Sequence, residues 1–113
     1  MKKVMLLASE NMCDDLQTAL KDKYELLPCS DPAAAREVLD QAPDALILYL
    51  FLPGANSLIF LRENASVLPP VVIALTNFFS NFLLQELVRL GVSTVIRIPF
   101  PPDYLERQLT ALL

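Results

Sequence analysis

The chain has 113 residues, 54% of them apolar, with nine basic and thirteen acidic side chains, no histidine, and a net charge of −4. That length suits one domain, residues 1–113, with a core large enough to stand without disulfides or metals. Scattered lysines and arginines argue against a nucleic-acid surface, which needs clustered positive charge, and no apolar run reaches membrane-spanning length.

Residues 1–9 combine two lysines with a short apolar run. The run is too short for a signal peptide and Glu10 follows, so residues 3–8 read as a first strand. Residues 11–22 carry Met12, Leu16, Ala19 and Leu20 at helical spacing, with Asp14 and Asp15 early and Lys21 and Lys23 late or just beyond. That charge order suits the helix dipole. A short strand over 24–29 follows. Asp31 then caps a second helix with Pro32 at its first position, and Pro43 ends it. Residues 45–52, seven apolar and one tyrosine before Pro53-Gly54, read as a strand buried on both faces. A third helix over 58–64, a strand over 71–76 ending in Thr76, and a fourth helix over 79–90 closed by Gly91 come next. A strand over 92–98 and a helix over 101–113 complete the chain, with the terminal leucines 109, 112 and 113 expected to pack on the sheet. Five strand–helix alternations predict an α/β protein with a doubly wound parallel sheet. In such sheets ligands gather at the strands' carboxyl ends, which makes Tyr49 a central residue.

Cys13 and Cys29 fit neither a disulfide framework nor a zinc site. They read as reduced cytoplasmic thiols serving as small hydrophobes. The place of Cys13 near a helix N-terminus leaves a lowered thiol pKa open.

Several landmarks recur in a fixed order: Lys2-Lys3-Val4-Met5-Leu6-Leu7, Pro43-Asp44, Leu52-Pro53-Gly54, Thr76, Leu90-Gly91 and Pro99-Phe100. Tyr49 and Thr76 are 27 residues apart, and Thr76 and Ile98 are 22 apart. In this the whole chain resembles the receiver domains of two-component response regulators. The resemblance implies a flavodoxin-like five-stranded sheet in the order 2-1-3-4-5, and a cis bond at Ile98–Pro99. It also implies phosphoryl transfer to an aspartate ending strand three. An acid pair ending strand one would hold Mg²⁺, a Thr or Ser would end strand four, and a lysine would precede the proline after strand five. Mg²⁺ and lysine would neutralise charge on the transferring group.

The chain departs from that pattern at almost every such position. Ala8 and Ser9 stand where the acid pair belongs, with Glu10 one step on; Tyr49 stands at the acceptor and Ile98 at the lysine. Thr76 alone remains. Val95 occupies the aromatic switch position, and Arg97 should point away from the pocket that Ile98 faces. A phenol is a poor phosphoryl acceptor without a base, and no histidine is present. Tyr49 is therefore expected to fill the vacated volume, its hydroxyl bonded to Thr76 or a loop amide.

A receiver that lacks its chemistry keeps its surface. The fourth helix and its approach hold too many apolar residues for one stripe facing the sheet. Phe78, Phe79, Phe82 and Leu83, with Val95 and Arg97, are the candidate interaction face; alternatively Phe78 and Phe79 fold back over the dead pocket. Ile59 is a weaker flag of the same kind.

These readings imply a degenerate, phosphorylation-independent receiver and not an enzyme. It would be a cytoplasmic interaction module of bacterial signalling, with no cofactor, no metal, no nucleic acid and no membrane. The expected partner is a protein or a second copy, bound through helix four, strand five and helix five. The rivals are a receiver with a substitute acceptor, the receiver part of a larger regulator, and a rebuilt small-ligand pocket at the strand ends.

Overall fold

Continuous apolar runs need cover on both faces, and the helices supply it. The computed structural model of the chain describes residues 1–51 and 56–113. Among these, five strands alternate with five helices: β1 (Lys3–Leu7), α1 (Glu10–Leu20), β2 (Glu25–Cys29), α2 (Pro32–Leu39), β3 (Ala45–Tyr49), α3 (Ser57–Glu63), β4 (Val71–Thr76), α4 (Asn81–Arg89), β5 (Thr94–Arg97) and α5 (Pro102–Leu112). The strands are all parallel, in the order β2-β1-β3-β4-β5. The expected architecture and strand order are present.

Side chains alternate across each strand and so build two cores. Val4, Leu6, Ile47, Ile73 and Ile96 face α1 and α5. Met5, Leu7, Leu46, Leu48 and Val72 face α2, α3 and α4. Leu6 lies opposite Ile47, and Ile47 opposite Ile73, so one row of fully buried aliphatics crosses the sheet. Each such side chain contributes roughly 1.5–3 kcal/mol through burial. The first four helices start on short polar side chains. Ser9, Asp31, Asn56 and Ser80 accept from the backbone N–H groups of Met12, Ala33, Leu58 and Leu83, each such cap being worth about 1 kcal/mol. At the other end of α4, Gly91 adopts φ +95°. There the N–H of Val92 reaches the carbonyl of Leu87 and that of Gly91 reaches Val88, a Schellman closure that glycine makes without strain.

Several boundaries differ from expectation. β3 ends at Tyr49, where the Ser57 hydroxyl donates to the Tyr49 carbonyl at 2.8 Å and α3 begins. Leu50 and Phe51, expected to continue the strand, lie beyond it, and the Leu52-Pro53-Gly54 landmark falls outside the described residues. α4 starts at Asn81, because Ser80 takes the cap and leaves Phe79 in the approach. Of the terminal leucines, Leu109 is buried while Leu112 lies on the exposed side of α5. The Ile98–Pro99 bond is cis. Among the described residues no helix is long and apolar enough to cross a membrane.

Candidate functional site

The carboxyl ends of β1, β3, β4 and β5 converge on one edge, and the residues standing there are occupied with structure. Ala8, directly after β1, is fully buried in the core beneath α1 and α5, and its N–H donates to the Cys29 carbonyl at 3.2 Å. Ser9 caps α1, its Oγ accepting from Met12 N at 3.3 Å. Glu10 opens α1 as an exposed side chain. It borders a cleft shared with Cys13, Asp14 and the end of β2.

Thr76 is buried, and its hydroxyl is spent within its own turn. It accepts from Phe78 N at 3.0 Å and donates to Phe78 O at 3.1 Å. Among the described residues no hydrogen bond joins the Tyr49 hydroxyl to Thr76, and the loop amides of residues 52–55 that were the other expected partners lie outside them. Tyr49 is half-buried and packs against both cores. Its ring meets Phe51 edge-on at 6.4 Å between centroids, and Phe51 meets Phe78 in the same way at 6.4 Å. Edge-to-face pairs of this kind add about 0.5–1.5 kcal/mol beyond burial. The aromatic run Tyr49–Phe51–Phe78 thus lies along the edge where chemistry would be sought. Ile98, half-buried, packs on the α1–α5 side.

Nor does the donor set suit Mg²⁺. That ion needs near-octahedral oxygen ligation, with carboxylates among the ligands. Among the described residues no three of His, Cys, Asp and Glu come together as a metal site, and the nearest sequence candidate, Glu10, lies on the exposed start of α1 beside β2. The residues present do not fit the ion.

The cysteines are inert. Cys13 stands in the second turn of α1, buried, and desolvation pushes its thiol up instead of the helix N-terminus lowering it. Burial pushes the Cys29 thiol up to about 12. Both are free, and their sulfurs donate to backbone carbonyls, Cys13 to Ala8 at 3.5 Å and Cys29 to Leu6 at 3.3 Å. A thiol held neutral is a poor nucleophile.

The candidate interaction face divides. Phe82 is 78% exposed and Phe78 56%. Leu83, by contrast, is only 8% exposed and packs in the core with Leu87, so it leaves the candidate face. Leu83 and Leu87 are four apart and share the inward side of α4, and Phe82 is turned about 100° away from Leu83. Val95 is half-buried against the same core. Phe79 is half-buried beneath the Arg97 guanidinium, which lies 4.6 Å from the ring centroid. Arg97 is thereby held on the α4 side, away from Ile98. Two exposed residues, Phe51 and Val88, were absent from the sequence-derived face. Phe51 was hidden inside an apolar run read as strand, and Val88 among the surplus apolar positions of α4.

No protein-family model and no curated protein matches the chain. Solved structures do. The chemotaxis protein CheY4 of Vibrio cholerae superposes with a TM-score of 0.89 at 24% identity, over 100% of this chain and 99% of that one. The signal receiver domain of a putative LuxO repressor protein from Vibrio parahaemolyticus gives 0.87 at 23%, over 97% and 88%. The BeF3-activated N-terminal receiver domain of Klebsiella pneumoniae RstA gives 0.84 at 21%, over 99% and 97%. With its five parallel strands in the order 2-1-3-4-5 and helices on both faces, the chain has the fold of response-regulator receiver domains.

Proposed function

We propose that the chain is a phosphorylation-independent, receiver-like interaction module of a two-component type of signalling or regulatory pathway. The observation that carries this reading is the joint replacement of the receiver's reactive groups by residues with structural work. Ser9 caps a helix where an acid would bind metal. Tyr49 packs between two cores where the acceptor aspartate would stand. Ile98 packs against α1 and α5 where a lysine would project. Carboxylates and an ammonium at those points are what phosphoryl transfer needs, and none of these three side chains can supply them.

The function then rests on the surface. Phe78, Phe82 and Val88 leave large apolar side chains in water around α4, and exposed apolar patches mark interaction sites. The proposed partner is a second copy of the chain, meeting it through α4, β5 and α5. The two free, buried thiols agree with a cytoplasmic setting.

Two measurements test the reading. Amide NMR spectra should stay unchanged when Mg²⁺ and beryllofluoride are added, and intact mass should show no phosphate adduct after incubation with acetyl phosphate. A saturable shift centred on Tyr49 and Thr76 would overturn it. For the partner, light scattering of wild type beside Phe82→Asp should show a dimer that the variant splits. Equal masses for the two would remove α4 as the interface.

A further inference from the structure

The spacing of Met12, Leu16 and Ala19 places them on one side of α1, and that side looks onto the segment after β5. Between them lies a cavity of about 350 Å³, walled on the far side by Ile98, Phe100 and Leu105. Its lining residues are apolar apart from Asp15, an exposed side chain of α1 at the mouth of the cavity. We infer that this cavity is a binding site for a small apolar molecule carrying a single protonated amine.

The volume lies at the lower end of the range for small-molecule pockets, which are mostly apolar with one or a few polar groups to set orientation. Leu105 is fully buried and Leu16 nearly so, so the floor beneath the cavity belongs to the core, and Met12, Ala19, Ile98 and Phe100 offer the accessible walls. Met12 and Phe100 are half-buried. An unbranched thioether adapts its shape to an occupant, and an aromatic face accepts a neighbouring ring or a cation.

Charge selects the class of ligand. Asp15 takes part in no ion pair among the described residues, whereas Lys23 is paired with Glu106 and Arg107 with Asp103. Ile98 adds a hydrocarbon wall where the receiver resemblance implies a lysine, so the lining contains no cation of its own. An incoming ammonium would make a charge-assisted hydrogen bond to Asp15, and the chain's net negative charge would favour its approach. A carboxylate or phosphate ligand would be repelled by the same groups.

The test uses the full chain and two probes of one shape, 2-phenylethylamine as its ammonium and neutral 2-phenylethanol. Amide NMR titration with the amine should give saturable shifts centred on Met12, Asp15, Ala19 and Phe100. The alcohol should shift the same amides but bind about fivefold more weakly, the scale of one partly exposed ion pair. Asp15→Asn should remove the preference for the amine while leaving the alcohol's affinity unchanged. Ala19→Leu, at an exposed helical position that retains the wild-type spectrum elsewhere, should fill the cavity and abolish binding of both. The assignment is overturned by an absence of saturation, by shifts mapping elsewhere, by equal affinities for amine and alcohol, or by undiminished binding in Ala19→Leu.

Discussion

The strand-end edge and the outer face of α4 both carry large apolar side chains, and they are built on opposite terms. At the edge, Tyr49 packs against two cores and three neighbouring hydroxyls are engaged locally: Ser9 with Met12, Thr76 with Phe78, and Ser57 with the Tyr49 carbonyl. On α4, Phe82 stands 78% exposed one position from buried Leu83. At the edge the hydroxyls are spent inside the fold, whereas on α4 a large apolar side chain is displayed to water. Position in a fold therefore does not by itself assign a role, and the state of each polar group does.

The comparison is broken most decisively at the sheet. Ile47→Ala should destabilise by about 2–5 kcal/mol through lost burial and the cavity left behind, while Phe82→Ala should move urea stability by no more than about 0.5 kcal/mol. Equal losses would mean that the outer face of α4 is structural. Next in size is Tyr49→Asp, which places an acid at the end of β3. Placing a charge among packed rings should cost about 2 kcal/mol. No phosphate adduct should form with acetyl phosphate and Mg²⁺, because Ala8, Ser9 and Ile98 remain; an adduct by intact mass would show that the edge needs only an acceptor. Ser9→Ala should remove about 1 kcal/mol as the loss of a helix cap, read as a lowered urea midpoint that is indifferent to Mg²⁺.

The smallest effect at neutral pH belongs to Cys29. Its folded value, about 12, lies above the ordinary thiol value of 9.0, so the folded state holds the proton more tightly. The resulting stability is present in full below the ordinary value and is lost as pH rises from 9.0 towards 12. Wild type should thus lose more stability than Cys29→Ala between about pH 8 and about pH 10, by urea unfolding. Parallel losses would show that the thiol does not titrate differently on folding.

Much of the edge was legible because its reading depends on residue type alone. Tyr49 and Ile98 bring no carboxylate and no ammonium to it wherever their side chains point. The surface was less legible. Phe78, Phe79, Phe82 and Leu83 are adjacent and all apolar, and composition could not sort the exposed pair from Leu83 in the core or from Phe79 beneath Arg97. Cys13 was open to two opposite pKa shifts until its burial chose the upward one.

The sequence by itself determined the alternation of elements and the caps at Asp31 and Gly91, since each follows from local periodicity or turn chemistry. Tertiary structure alone decided that β3 stops at Tyr49 where Ser57 meets its carbonyl, that Arg97 covers Phe79, and that α1 and the segment after β5 leave an apolar cavity beside Asp15. Those outcomes depend on which distant segments arrive beside one another, and pairing across the fold sets them more than any neighbour in the chain does.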